Sequence, residues 1–269
     1  MGRVIKVRVP ASIANLGPGF DVLAMAVDLW LEAEAEPAPA PDWRFEGELP
    51  PSSNPISELA MRGVVRSAIR VGVGLGSSAA ARIAALAMSG VDGAALLQRA
   101  AAAEGHPDNA AAAVEGGVVA VVDGRVHRLP APDLEVALFV SAHAQPTEHA
   151  RALLPDRVSR ADAVHNAARL ALLVHALHRH DWTLLGQAMD DRLHQPYRAP
   201  LYPWTADVMR AANAAGAYGS AIAGAGPSVF AFCAPGTAGD VARVMAAAAA
   251  SEGSTVVTRV VASGLSIER

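Results

Sequence analysis

The run Gly72-Val73-Gly74-Leu75-Gly76-Ser77-Ser78-Ala79-Ala80 sets glycines at alternate positions, then two serines, then an alanine-rich stretch of helical character. Glycine lets the backbone turn tightly and come close to a ligand. Amide hydrogens exposed at the start of a helix, with serine hydroxyls beside them, form a site for phosphate. The run is not a Walker A loop, because no lysine follows its last glycine. Lys6 is the only lysine in the chain, which also excludes a kinase-type strand lysine or a Schiff-base lysine unless Lys6 itself serves. If nucleotide phosphate is handled, helix amides, serines, arginines and a metal ion must hold it.

Four other segments place polar groups where chemistry is feasible. Pro10 to Asp21 carries Asn15 and Asp21 in a glycine-rich loop between apolar stretches; a turn in which both satisfy their own backbone fits equally well. Glu104-Gly105-His106-Pro107-Asp108-Asn109 breaks an alanine-rich region. Glu104 offers a carboxylate for Mg2+, which takes phosphate oxygens and water as further ligands. His106, Asp108 and Asn109 can position a polar substrate, although a helix C-cap followed by an Asp N-cap has the same spacing. Arg151, four residues after Thr147, and Arg198, in His194-Gln-Pro-Tyr-Arg198, are of the type that grips carboxylate or phosphate bidentately. In an arginine-rich chain, solvated surface is the rival reading. Gly224-Ala225-Gly226-Pro227-Ser228 can press backbone against a ligand or simply join two strands. The cluster His175, His178, His180 has only Asp181 as a nearby acid and reads as a solvated helix end. There is no Gly-x-Ser-x-Gly elbow for hydrolase chemistry.

These segments need elements to hold them. Alternation predicts a strand over Val4 to Val9, a loop from Pro10 to Asp21, and further strand character over Val22 to Leu29 and Leu31 to Glu36. Pro37 to Asn54 reads as a surface loop and Ile56 to Arg70 as a helix. Helices are expected from Ser77 to Ser89 and from Gly93 to Ala103, with a third capped by Asp108. Asp123-Gly124 marks a hairpin between Gly117 to Val122 and Arg125 to Leu129. Val136 to Ser141 and Val229 to Cys233 are strands, Thr255 to Val261 the last. Helices are expected over Arg160 to Leu177, Asp181 to Asp190, Ala206 to Ala215 and Gly239 to Ser251. Strands and helices mix without a regular parallel repeat, which points to α+β.

The 269 residues suffice for one large or two small domains. Net charge is -4 without a basic block, so nucleic-acid binding has no footprint. Cys233 stands alone in an apolar run, which excludes an internal disulfide. No charged-then-apolar leader and no membrane span is legible, and the expectation is a soluble cytoplasmic protein.

Taken together, the segments resemble the GHMP superfamily of small-molecule kinases. Pro10 to Asp21 matches its N-terminal motif, Gly74 to Ala80 its phosphate loop and Ala223 to Ser228 its C-terminal glycine motif, in the right order. The closest likeness is to homoserine kinases. It rests on Ser12-Ile-Ala-Asn15-Leu-Gly-Pro-Gly-Phe-Asp21, on Glu104 to Asn109 with Gly116-Gly117, on Thr147 to Pro155, and on Pro196 to Pro203. The resemblance implies a two-domain fold. A ribosomal-protein-S5-like N-terminal domain (1–130) would precede a ferredoxin-like C-terminal domain (131–269), with the active site between them. It implies ATP-dependent, Mg2+-assisted phosphorylation of the hydroxyl of L-homoserine, a step toward threonine, by a homodimer. Substrate contacts would come from Asn15, Asp21, His106, Arg151 and Arg198. Nucleotide contacts would come from Asn54, Gly74, Leu75, Gly76, Ser77, Ser78, Ala79, Thr147, Gly224 and Gly226. Ser78 and Glu104 would hold the metal, and Asp108 and Asn109 would act on the hydroxyl. The stretch from Asn54 to Gly74 is short for the family, with only Ile69 to Val71 left of an expected strand, which implies an open sheet edge or a looser adenine pocket. Two alternatives stand: a GHMP kinase for another small hydroxylated substrate, or a binding paralogue without turnover.

Overall fold

The structure is a computed structural model that describes residues 3–52 and 54–269. In chain order, the first half contains β1 (Ile5–Ala14), β2 (Leu23–Pro37), β3 (Asp42–Gly47), β4 (Met61–Ser67), α1 (Ser77–Met88), α2 (Gly93–Glu104), α3 (Asp108–Glu115), β5 (Val118–Val122) and β6 (Arg125–Leu129). The spine of its sheet is the antiparallel pair β1–β2, whose register shifts between Pro10 and Ala11. Proline has no N–H to give to the ladder, so a bulge is a natural place for it. The length of β2 lets it serve two neighbours. Leu31–Pro37 pairs with β4, and Leu23–Met25 pairs with β5. β3 adds in parallel to the far side of β4, and β6 closes a hairpin on β5. Alternation along β1 sends Val7 and Val9 into the core, toward the side where α1 and α3 pack. Lys6 and Arg8 stay outside, paired with Glu34 and Glu32.

The second half contains β7 (Glu135–Ser141), α4 (Thr147–Ala152), α5 (Arg160–Arg179), α6 (Leu185–Ala188), α7 (Gln195–Arg198), α8 (Thr205–Ala214), β8 (Gly219–Ile222), β9 (Val229–Cys233), α9 (Ala238–Ala248), β10 (Gly253–Arg259) and β11 (Ser266–Glu268). Its antiparallel sheet has the order β10-β7-β9-β8, the split βαβ arrangement of ferredoxin-like folds. One face packs Phe139, Val229 and Ala231 against Val208 of α8 and Val241 and Met245 of α9. The other face contributes Leu138, Phe230 and Phe232 to a core shared with Val9, Ile13 and Leu31 of the first sheet. The architecture is α+β, as expected.

Several local expectations are corrected. Pro10 to Ala14 belongs to β1, and the two stretches expected over Val22 to Leu29 and Leu31 to Glu36 are one strand, Leu23–Pro37. Pro37 to Asn54 contains β3. The helix expected over Ile56 to Arg70 is a single 3-10 turn, Pro55–Glu58, followed by β4. Ile56, Leu59, Ala60 and Val64 happen to fall at helical spacing, but β4 is claimed on both sides by β2 and β3. The sheet is therefore continuous here, with β4 inside and β3 at its edge. Asp108 is the first residue of α3, and Pro107 occupies the cap position. β11 returns to the outer side of β1, so the strand expected to be last, β10, has a successor in the other sheet.

The two glycine loops meet where the halves face each other. Gly74 has φ +85°, and a Cβ there would overlap the Ala223 carbonyl oxygen. Gly74→Ala is expected to lower stability by about 2 kcal/mol or more, from overlap and left-handed strain together, read as a fall in the urea midpoint.

Candidate active site

α1 is preceded by Gly76 at its cap position, which is left-handed (φ 69°) and, being glycine, offers no side-chain cap. The first intrahelical bond runs from the Ala80 N–H to the Gly76 carbonyl, so the amides of Ser77, Ser78 and Ala79 have no helical partner. A Cβ on Gly76 would overlap Ser12 Oγ, which explains glycine there. The Ser77 hydroxyl is buried and has no hydrogen-bond partner among the described residues. A helix start with free amides and an idle hydroxyl suits an anion.

Around this turn one cleft gathers Asn15, Asp21, Gly74 to Ser78, Glu104, His106, Asp108, Asn109, Thr147, Arg151, Arg198, Gly224 and Gly226. Nearly all the residues singled out in the sequence thus converge. Two do not line it. Ala79 is buried on α1, and only its amide belongs to the open turn. Asn54 is spent on its own loop. Its Oδ1 accepts from the Ile56 and Ser57 N–H groups, and its Nδ2 donates to the Pro50 and Pro51 carbonyls.

The loop after β1 is held by Asn15, which adopts φ 59°. Its Oδ1 accepts from the Asp21 N–H at 2.9 Å, and its Nδ2 donates to the Gly224 carbonyl at 3.0 Å. Asn15 is therefore a brace between its own loop and the second glycine loop. It delivers Asp21 (φ 55°) to the cleft wall. There Arg151 of α4 donates to both carboxylate oxygens, at 2.8 and 2.7 Å. That bond raises the Arg151 pKa further. Arg198 is 1% exposed. Burial lowers its pKa to about 10, and the nearby Arg151 charge adds to this, leaving it cationic at neutral pH.

Glu104 ends α2 beside the start of α1. Ser78 Oγ donates to its Oε1 at 2.7 Å, and Arg82 lies 3.5 Å from the same oxygen. Among the described residues no cluster of three or more His, Cys, Asp or Glu forms a metal cage. A hydroxyl and one carboxylate are hard oxygen donors of the kind that complete the shell of a phosphate-bound Mg2+.

On α3 the Asp108 carboxylate accepts from the Asn109 N–H at 2.8 Å and lies 3.2 Å from His106 Nδ1. Ser12, which sequence reasoning left out, donates its hydroxyl to Asn109 Oδ1 at 2.9 Å. The NH2 end of Asn109 is then the one left for a ligand. Gln145 was also missed. Its N–H holds the Gly72 carbonyl at 2.8 Å, and it lines the cleft. His194 and Asp191, buried behind Arg198, gave no signal beyond the four-residue spacing of His194 and Arg198.

The hydrogen bond to Asp108 raises the His106 pKa above 6.5, against the opposing effect of burial. The pair therefore adds stability that is full below the unfolded value and fades as pH rises through the folded one. Proton NMR should show His106 titrating above 6.5 in the native protein and lower in Asp108→Asn; an unchanged midpoint would dissociate the two groups.

Comparison with known proteins agrees with this geometry. The family model described as GHMP kinases C terminal matches residues 173–251. The homoserine kinase of Moorella thermoacetica is 40% identical over 277 residues, covering 92% of this chain and 93% of that one. The homoserine kinase of Thermus thermophilus is 40% identical over 275 residues, covering 93% and 94%. The crystal structure of homoserine kinase from Cytophaga hutchinsonii superposes with a TM-score of 0.87 at 28% identity, over 100% of this chain and 98% of that one. Mevalonate kinase of L. major, at TM-score 0.73 and 13% identity, shares the fold. With 40% identity sustained over more than nine-tenths of both sequences, and with the GHMP motifs folded into one cleft, this chain belongs to the homoserine kinase family of the GHMP kinases.

Proposed function

We infer that this chain transfers the γ-phosphoryl group of ATP to the side-chain hydroxyl of L-homoserine, giving O-phospho-L-homoserine on the route to threonine. The observation that carries the reading is the bidentate Asp21–Arg151 pair set beside the uncapped start of α1 in a single cleft. An amino-acid zwitterion brings both an anion and a cation to that pair. Its ammonium goes to Asp21 and its carboxylate to Arg151 and Arg198, so no charge is left unpaired. A mevalonate-type acid would take Arg151 and strand Asp21, and an unpaired, partly buried charge is costly.

Phosphoryl transfer depends on alignment and charge neutralisation more than on covalent chemistry. The free amides of Ser77, Ser78 and Ala79, the Ser77 hydroxyl, and the backbones of Gly74 to Gly76, Gly224 and Gly226 receive the ATP phosphates. Thr147, at the cleft mouth, contributes a hydroxyl on that side. Ser78 and Glu104 hold Mg2+, which when bound offsets charge on the phosphate oxygens. The NH2 of Asn109 orients the reacting region, and Asp108 accepts the proton of the substrate hydroxyl. His106 shapes the pocket and steadies Asp108. Residues 1–130, joined by the returning strand β11, form the phosphate-loop domain, and the rest of 131–269 forms the domain that brings the arginines. A homodimer in the cytoplasm accompanies this reading on the strength of the family likeness.

The test is ADP release with Mg2+ and ATP against homoserine, threonine, serine, mevalonate and galactose. Turnover with homoserine well above the rest is expected; turnover with mevalonate or galactose instead would overturn the reading. Asp21→Asn should lower kcat/KM for homoserine by about 30-fold or more, the scale of one lost charge-assisted contact. Asp108→Asn should lower kcat by about 100-fold with little change in the homoserine KM; near-normal turnover would remove Asp108 as proton acceptor.

A further inference from the structure

Arg198 is a buried cation without a carboxylate partner. Among the described residues no Asp or Glu lies within ion-pair distance of it. Its Nη1 donates instead to two neutral acceptors, His194 Nδ1 and the Gly224 carbonyl, each at 3.0 Å. Its Nε has no partner. The Phe20 ring lies 5.4 Å from the guanidinium carbon and stacks on the His194 imidazole at 5.3 Å.

The protonation of His194 follows from its partners. Nε2 is 2.8 Å from the Gly17 carbonyl oxygen. A carbonyl only accepts, so Nε2 carries the hydrogen. Nδ1 is then the bare nitrogen, as the facing guanidinium N–H requires. Full burial is the main reason its pKa falls to about 4; the Asp191 carboxylate opposes the fall and the Arg198 charge adds to it. The imidazole is thus neutral at physiological pH.

Its placement is fixed from behind. Asp191 accepts the N–H groups of Leu193, His194 and Gln195 at 3.0, 3.0 and 2.7 Å, and takes the Asn166 amide at 2.7 Å. Asn166 in turn receives the Arg192 N–H at 2.8 Å. Gln195 Oε1 accepts the Ile222 N–H at 2.9 Å, which ties α7 to β8. Arg198 follows one helical turn after His194, so the same face presents both.

We propose that His194 is a positioning residue: as a neutral acceptor it aims the Arg198 guanidinium at the cleft without neutralising it, so that the carboxylate of an amino-acid substrate becomes its ionic partner. An Asp or Glu in that place would hold the arginine equally well but compete with the substrate for its charge. The proposal deepens the amino-acid kinase reading above and rests on it.

Two substitutions separate this role from simple bracing of the Gly17 loop. His194→Asn places an oxygen near the position of Nδ1 and loses the donor to Gly17. His194→Gln places an amide near Nε2 and loses the acceptor for Arg198. The assay compares homoserine with 2-amino-1,4-butanediol, which has the ammonium and the hydroxyl but no carboxylate. His194→Gln should raise the homoserine KM roughly tenfold or more, the scale of one hydrogen bond to a charged group. The ATP KM and the kinetics of the diol should stay nearly constant, and His194→Asn should remain close to the native enzyme. The reverse order of the two variants, or equal losses with homoserine and the diol, would overturn the proposal. Arg198→Ala is the control that shows the preference for homoserine depends on that arginine. A native protein that ignores homoserine refutes the function, whereas a native preference lost in Arg198→Ala but kept in His194→Gln refutes the role of His194 alone. If His194→Gln does not fold, 15N NMR of the native protein decides: the Nε2–H tautomer with a hydrogen-bonded Nδ1 supports the proposal, and an Nδ1–H or doubly protonated ring overturns it.

Discussion

The carbonyl of Gly224 is the junction on which the site depends. It accepts from Asn15 Nδ2 and from Arg198 Nη1, while the Gly224 N–H donates to the Ala14 carbonyl at 3.1 Å. Gly74 lies against the same turn: a Cβ on Gly74 would overlap the Ala223 carbonyl oxygen, and one on Gly224 would press on the Gly74 carbonyl oxygen at 3.2 Å. One short loop of the second sheet thereby fixes the end of β1, the phosphate loop and the buried arginine relative to one another. The left-handed conformations of Asn15, Asp21, Gly74 and Gly224 all serve this close approach. Such conformations persist when the surroundings over-determine them, as a backbone junction with bonds in three directions does.

Around that junction the charges are committed to different degrees. Arg151 is bound to Asp21 and partly solvated, so its pairing can be exchanged. Arg198 is sequestered with neutral partners. Glu104 is shared between Ser78 and Arg82. Asp108 is held by its own helix and by His106. The cleft therefore arrives with its donors oriented before any ligand does, the condition under which electrostatic stabilisation acts without reorganisation at the moment of reaction.

Local chemistry explains what could be read in advance. Gly76 ahead of Ser77, Gly105 after Glu104 and Asp123-Gly124 each encode a helix start, a helix stop or a hairpin in neighbouring residues, and each is found at its place. The motif residues converge on one cleft because the glycines that mark them are those required for the loops to touch. What stayed hidden depends on distant partners. β3, β8 and β11 are short strands, legible only once their pairing is known. β4 carries apolar residues at a helical period and is a strand because β2 and β3 flank it. Asn54 resembled a ligand contact and is a cap. Ser12 and His194 gain their roles from Asn109, Gly17 and Arg198, up to 177 positions away.

The return of β11 to β1 also bears on how the two halves can move. The chain crosses between the sheets once from Leu129 to Glu135 and again from Arg259 to Ser266. A body tethered at one point can swivel freely, whereas one tethered at two points retains chiefly rotation about the line joining them. Because the two sheets also share one hydrophobic core, the pair of tethers holds the walls of the cleft in register. The second sheet, caught between two attachments to the first, behaves as an insert and not as a detachable module.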